Sequence, residues 1–308
     1  MPEELEASVI IPTRNRPAHL RAAVRSVLAN IGNNIEVIVV DDGSVPPAQD
    51  GLLADFATDR RLMILCNSGP NGAATARNLG AAHARGKVLF FLDDDDLMLP
   101  GYCNLVLAAM DGRDLPWGFS PILQHGKGGP DPWKAPHSLR LEKLSKPLGC
   151  RHLTGLGCGF WVQSALFRSS GGLDAEFRVN EDTEYCLRLL SQGHQPWISD
   201  RPGVSVLRHG PVVKGEERSV TRETHASLRT TYFAKILDRY RSFLEVAPNI
   251  EQFLVRRYLK TLAKIAPIGV GLAAAKRYRV RGARRYFMLN WVLYRLTLRR
   301  SDSGGSKS

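Results

Sequence analysis

Cysteine is scarce in this chain, and long apolar runs are missing altogether. The 308 residues hold 5 cysteines, Cys66, Cys103, Cys150, Cys158 and Cys186. They are odd in number and widely spaced, and no CxxC pair occurs. That argues against a disulfide framework or a zinc site and predicts buried thiols in a reducing compartment. No apolar stretch reaches the roughly 20 residues of a membrane-spanning helix. The N-terminus, Met1-Pro2-Glu3-Glu4, is acidic and lacks the apolar core of a signal peptide, so the expected location is cytoplasmic. A dinucleotide fingerprint is also lacking. Thr154-Gly155-Leu156-Gly157-Cys158-Gly159-Phe160 has alternating glycines without the GxGxxG spacing, and no ribose-binding acid follows.

Acidic residues are absent from one long stretch: none occurs between Glu251 and Asp302. The net charge of +12 is therefore uneven. Residues 201–308 carry 23 Lys/Arg against 7 Asp/Glu, whereas residues 1–200 carry 19 against 23. Two regions are expected, residues 1–220 and a basic, mainly helical region 221–308 ending in a flexible tail.

What the chain does have is acid in one place. Asp93-Asp94-Asp95-Asp96 follows Val88-Leu89-Phe90-Phe91-Leu92, which has the length and residue types of a buried strand. Carboxylates at a parallel strand's C-terminal end lie on the usual ligand edge of an open α/β sheet. Such oxygens suit a hard divalent ion, Mn²⁺ or Mg²⁺; a solvated turn capping the next helix is the alternative.

Strands are also read at Ser8–Ile11, Glu36–Val40 and Leu62–Leu65. Leu20, Ala23, Val24, Val27 and Leu28 have helical spacing, and a second helix is read from about Asn71 to Arg85. Strands alternating with helices imply a Rossmann-like, mostly parallel sheet flanked by helices. Gly112–Gly149 reads as irregular, and Trp197–Leu207 as one strand. Asn180-Glu181-Asp182-Thr183-Glu184 opens a helix, where first-turn acids also suit the helix dipole.

In order along residues 6–212, these pieces resemble family 2 of the inverting nucleotide-sugar glycosyltransferases, which have the GT-A fold. The resemblance rests on Val9-Ile10-Ile11-Pro12-Thr13-Arg14-Asn15, Val39-Val40-Asp41-Asp42-Gly43-Ser44, and Gly72 with Ala76-Arg77-Asn78-Leu79-Gly80. It continues through Phe91-Leu92-Asp93-Asp94-Asp95-Asp96 and Pro100 to Gly171-Gly172-Leu173-Asp174 and Glu181-Asp182. It implies donor contacts from Pro12, Thr13, Arg14, Asp41, Asp42, Arg77, Asp93 and Asp94. It also implies a DxD metal motif at Asp93 and Asp95, with Asp95 the direct ligand and Asp93 acting on ribose or through water. The two extra acids leave room for a shift by one position, and Asp96 is alternatively a helix cap. His209 is a further candidate ligand, structural otherwise. Asp182 is the expected base that takes the acceptor proton, with Glu181 positioning the acceptor or standing in. Gly157, Gly159 and Phe160 are expected beside the acceptor. Uridine is the commonest base in similar proteins, so a UDP-sugar is the expected donor. A glycan or lipid-linked saccharide hydroxyl is the expected acceptor, with polyprenyl phosphate, or a silent scaffold, as alternatives.

Past Thr221 the resemblance ends. Leu228–Leu244 and Ile250–Ile265 read as amphipathic helices. The basic run Lys276–Arg285 leads into the aromatic, apolar segment Tyr286–Leu296. Basic residues interleaved with aromatics suit an anionic membrane surface, here through residues 250–300. Plain packing, a homodimer interface and nucleic-acid attraction are the alternatives, and no nucleic-acid motif occurs.

Overall fold

A computed structural model describes residues 5–56, 58–70, 72–125, 137–144, 156, 159–207, 226–278 and 280–303. The described residues form two compact units, one through Leu207 and one from Ala226 on.

The first unit is built on an eight-stranded sheet. Its centre is β1 (Ala7–Thr13) and β2 (Ile35–Asp41), almost wholly buried. Both are near-continuous apolar runs because helices cover both sheet faces. With β3 (Leu62–Cys66) and β4 (Val88–Phe91) they pair in parallel in the order β3-β2-β1-β4. The chain winds outward from β1 through β3, then returns to β1's other side as β4. The carboxyl ends of β1 and β4 therefore flank the switch point at which open α/β sheets hold ligands.

Helix α1 (Pro17–Leu28) has a proline at its start, where the missing N–H costs nothing, and buries Leu20, Ala23, Val24, Val27 and Leu28. α2 (Ala48–Phe56) packs beside it. α3 (Ala73–His83) stops short of Arg85 because Ala84 turns extended. It lies very close to the sheet: a Cβ on Gly80 would sit 2.6 Å from Ile10 Cγ2 and 3.1 Å from Val40 Cγ2.

The sheet continues with β9 (Trp161–Gln163), antiparallel to β4, then β6 (Trp117–Phe119), β10 (Trp197–Ser199) and β8 (Leu141–Lys143). A smaller sheet runs β5 (Leu97–Met98), β11 (Val204–Leu207), β7 (Ile122–His125). α4 (Tyr102–Met110), α5 (Ser164–Ser169) and α6 (Glu181–Ser191) complete the unit. Two segments differ from the sequence expectation. Among its described residues, Gly112–Gly149 contains three strands, of three or four residues each, whose partners are distant in sequence. Trp197–Leu207 is two strands in different sheets, divided by a turn in which Ser199 Oγ bonds the Arg201 backbone.

The second unit consists of α7 (Ala226–Arg239), α8 (Arg241–Val246), α9 (Pro248–Ile265), α10 (Ile268–Arg277) and α11 (Ala283–Ser303). The expected single helix Leu228–Leu244 is broken at Tyr240, whose φ of −103° and ψ of 19° interrupt the helical ladder. Leu254, Val255 and Leu259 of α9 are buried, and Phe287 of α11 lies where a Cβ on Gly271 would be. Among the described residues, no helix is long and apolar enough to cross a membrane.

Candidate active site

The four aspartates leave β4 at the switch point; Asp93, Asp95 and Asp96 converge, while Asp94 turns to Thr13. Asp94 is buried and turns toward the β1 loop. It accepts from Thr13 Oγ1 at 2.7 Å and from Arg16 Nη1 at 3.0 Å. The same Arg16 nitrogen reaches Asp95 Oδ2 at 3.0 Å. Burial pushes the Asp94 carboxyl up to about 6, against the opposing pull of Arg16. Asp96 is also buried and accepts the Leu207 N–H at 3.0 Å, tying β11 to the aspartate turn. It caps no helix: the next one, α4, begins after Gly101.

Asp93, Asp95 and Asp96 can each bring one oxygen within 4.8 Å of the others. Burial, reinforced by the charges of Asp93 and Asp95, pushes Asp96 up to about 9. Three converging carboxylates form a donor set that fits a hard divalent cation, which would offset this repulsion.

Arg77 joins this cluster to α6. The close seat of α3 buries the guanidinium, whose Nη2 donates to Asp93 Oδ1 at 2.6 Å and whose Nη1 donates to Glu181 Oε1 at 2.9 Å. Burial alone pushes Arg77 down, but Asp93 and Glu181 outweigh it and hold the cation above its ordinary range. Its buried Nε finds no acceptor among the described residues.

Glu181 and Asp182 open α6 after Asn180, which adopts a left-handed φ of 64°. Burial, then the neighbouring Asp182, pushes Glu181 up to about 7. Burial raises Asp182 as well, while the Thr183 N–H, 2.6 Å from Oδ1, pulls the other way. Oδ2 of Asp182 accepts no hydrogen bond among the described residues.

The remaining expected residues fall into three groups. Asp41 and Asp42 are buried at the carboxyl end of β2. Asp41 accepts from the Ser44 and Ala48 N–H groups, shaping the β2 loop and the start of α2. Asp42 accepts from the Gly72 N–H at 2.8 Å and from Asn67 at 2.6 Å, fixing the start of α3. Pro12 is half-buried within β1, opposite Val40. The second group makes none of the hydrogen bonds or ion pairs described for the cluster. Arg14 is exposed and makes none of the cluster's contacts. Phe160, expected beside the acceptor, is fully buried among Phe91, Trp117, Phe119 and Tyr185. An aromatic ring there gains more from core packing than from solvent. Gly159 has a φ of +67° and a carbonyl that accepts from Tyr102 OH at 2.7 Å. The third group, Gly157 and His209, lies outside the described residues.

The sequence reading missed Arg16. Asn15, at a left-handed φ of 56°, sets which loop arginine faces the acids. Its N–H donates to Ser44 Oγ and its Oδ1 accepts the Val45 N–H, latching the β1 loop to the β2 loop. A run of four acids calls for cations nearby, and that was the available signal.

A family model described as Glycosyl transferase family 2 matches residues 8–165. An uncharacterized glycosyltransferase of Haemophilus influenzae is 27% identical over 242 residues, covering 76% of this chain and 75% of that protein. The pre-mycofactocin glycosyltransferase of Mycobacterium tuberculosis is 27% identical over 209 residues, covering 62% of this chain and only 40% of that one. Among solved structures, residues 1–349 of Staphylococcus aureus TarS in complex with UDP-GlcNAc superimpose with a TM-score of 0.58. The identity is 17%, with 96% of this chain and 92% of that one covered. At that identity the likeness speaks for the fold, the GT-A fold. The chain belongs to glycosyltransferase family 2, a family of nucleotide-sugar-dependent transferases.

Proposed function

We propose that the protein transfers a sugar, with inversion, from a UDP-sugar to a hydroxyl of a glycan or lipid-linked saccharide, using Mn²⁺ or Mg²⁺. The observation that carries this reading is Arg77, whose guanidinium contacts both the acid cluster and the Glu181-Asp182 pair. Donor diphosphate and acceptor hydroxyl would then meet in one crevice.

Thr13, Asp42 and Arg77 would receive the nucleotide and diphosphate, with Pro12 shaping the loop and Arg16 supplying the cation expected of Arg14. Asp95 and Asp93 would hold the ion, with Asp96 as a third ligand. A divalent ion there would neutralise charge on the departing diphosphate. Asp182 would accept the acceptor's hydroxyl proton as that oxygen bonds to the anomeric carbon and the bond to the diphosphate breaks. Burial raises its pKa, which strengthens it as a base. Glu181, held by Arg77, would orient the acceptor and the guanidinium. A single displacement needs no enzyme nucleophile. The UDP-GlcNAc complex of TarS supports a uridine donor for a chain of this fold.

The test is calorimetric binding of UDP, GDP, dTDP and CDP with and without Mn²⁺ or Mg²⁺, alongside Asp95→Ala. Metal-dependent binding of UDP that the variant loses is the expected result. A folded protein that binds none of the four would overturn the reading.

A further inference from the structure

Helix α11 is apolar on two opposite sides, and only one is covered. Ala283 and Phe287 are buried, Phe287 lies against Gly271 of α10, and Trp291 Nε1 donates to the Ala266 carbonyl at 3.2 Å. At roughly 100° per residue, Leu289, Val292, Leu293 and Leu296 fall on one stripe facing away from Phe287. All four are exposed, between 42% and 59%. The adjoining α9–α10 corner also exposes Ile265, Ile268 and Val270.

Cations border this surface. Arg285 lies one turn before Leu289 on the same stripe, Arg284 and Arg295 lie to one side, and Arg281 precedes the helix; all four are exposed. No acid occurs between Glu251 and Asp302 to offset them. We propose that this stripe and its arginines dock the protein on the surface of an anionic lipid bilayer. Leu289, Val292, Leu293 and Leu296 enter the headgroup boundary and the arginines meet lipid phosphates. The charge pattern selects this occupant. A two-fold pairing of stripes would bring Arg285 near its own copy if parallel and near the copy's Arg295 if antiparallel, like charge on like in both cases. Nucleic acid would satisfy the arginines and leave the aliphatic stripe in water.

This proposal does not rest on the donor reading, because vesicle binding requires neither nucleotide nor metal. The test is co-sedimentation of the full chain with vesicles of phosphatidylcholine plus phosphatidylglycerol, and with phosphatidylcholine alone. The expected result is binding that requires the anionic lipid. It should fall roughly a hundredfold when Leu289→Ser, Leu293→Ser and Leu296→Ser are combined. Arg284→Glu with Arg285→Glu should reduce it to the neutral-vesicle level. If circular dichroism shows the triple variant unfolded, Leu293→Ser alone carries the comparison with a proportionally smaller loss. Absence of binding, equal binding to neutral vesicles, or full binding by the folded apolar variant would each overturn the proposal. So would a dimer in sedimentation velocity that the triple variant dissociates, which would assign the stripe to a second copy. Duplex DNA bound equally by wild type and triple variant, with no vesicle binding, would assign the charges to nucleic acid.

Discussion

Arg77 donates one guanidinium N–H to Asp93 and another to Glu181, linking residues that are 88 positions apart in the chain. Lysine offers three donors from a single point and lacks the fork that spans two carboxylates. Arg77→Lys is therefore expected to keep one partner and lose the other, lowering kcat by about 10²-fold. Arg77→Leu leaves Glu181 buried beside Asp182 without its cation, and loss of that arm costs about 3 kcal/mol. Thermal melts and transfer assays on the two variants check both. Wild-type kcat in Arg77→Lys would remove the residue from the machinery.

The Glu181-Asp182 pair makes a pH prediction with a definite sign. Both carboxyls are raised by burial, Glu181 to about 7. A base must be deprotonated to act, so transfer should rise with pH as Asp182 loses its proton, at a pH above the ordinary carboxylate range. Stability runs the other way. Glu181's folded pKa lies above its ordinary 4.5, so its contribution is full below 4.5 and is lost as pH rises through about 7. The melting temperature should drop between pH 5.5 and 8, and the drop should shrink in Glu181→Gln. An unchanged pH dependence in that variant would show that Glu181 does not titrate in this window.

The parts legible in the sequence were those whose signal is local. β1, β2 and β4 are covered on both faces, so they read as unbroken apolar runs, and α1 carries a regular buried stripe. β6, β7 and β8 could not be read in that way, and β10 and β11 were read together as one strand. β4 is as short but wholly apolar, whereas segments such as β7 and β8 mix polar and exposed residues, and each pairs with a partner far along the chain. The site divides likewise. Strand-end acids stood out in the sequence, while the contacts of Arg16 with Asp94 and Asp95 lie beside a left-handed Asn15 that no local pattern marked. Phe160 was expected beside the acceptor from the glycines around it, and the aromatic rings that bury it come from three separate elements, β4, β6 and α6.

Asp95 and Asp182 should separate binding from chemistry. Asp95 belongs to the acid cluster and Asp182 opens the helix across from it. Asp95→Ala should weaken nucleotide binding in the presence of Mn²⁺ and leave metal-free binding nearly unchanged. Asp182→Asn keeps size and hydrogen bonding but removes the base. Its kcat should fall about 10²- to 10⁴-fold with the nucleotide Kd unchanged. Equal effects of both substitutions on Kd would mean that Asp182 belongs to the donor site.

Gly80 lies one turn along α3 from Arg77 and tests whether helix height sets the site. Replacing a mid-helix glycine by alanine ordinarily stabilises by about 1 kcal/mol. Here the new methyl would stand 2.6 Å from Ile10 Cγ2 and 3.1 Å from Val40 Cγ2, two fully buried side chains. Overpacking of that kind costs about 1–3 kcal/mol, so the clash should match or exceed the propensity gain. Gly80→Ala is expected to melt at or below the wild-type temperature, and Gly80→Val well below it. Lifting α3 also moves Arg77 relative to Asp93 and Glu181, where displacement of about 1 Å can cost 10²-fold in rate. Gly80→Ala should therefore lose activity at temperatures where it remains folded, with no catalytic group altered. A variant that is more stable and fully active would show that the sheet yields under the helix, and that Arg77 is placed by its ion pairs alone.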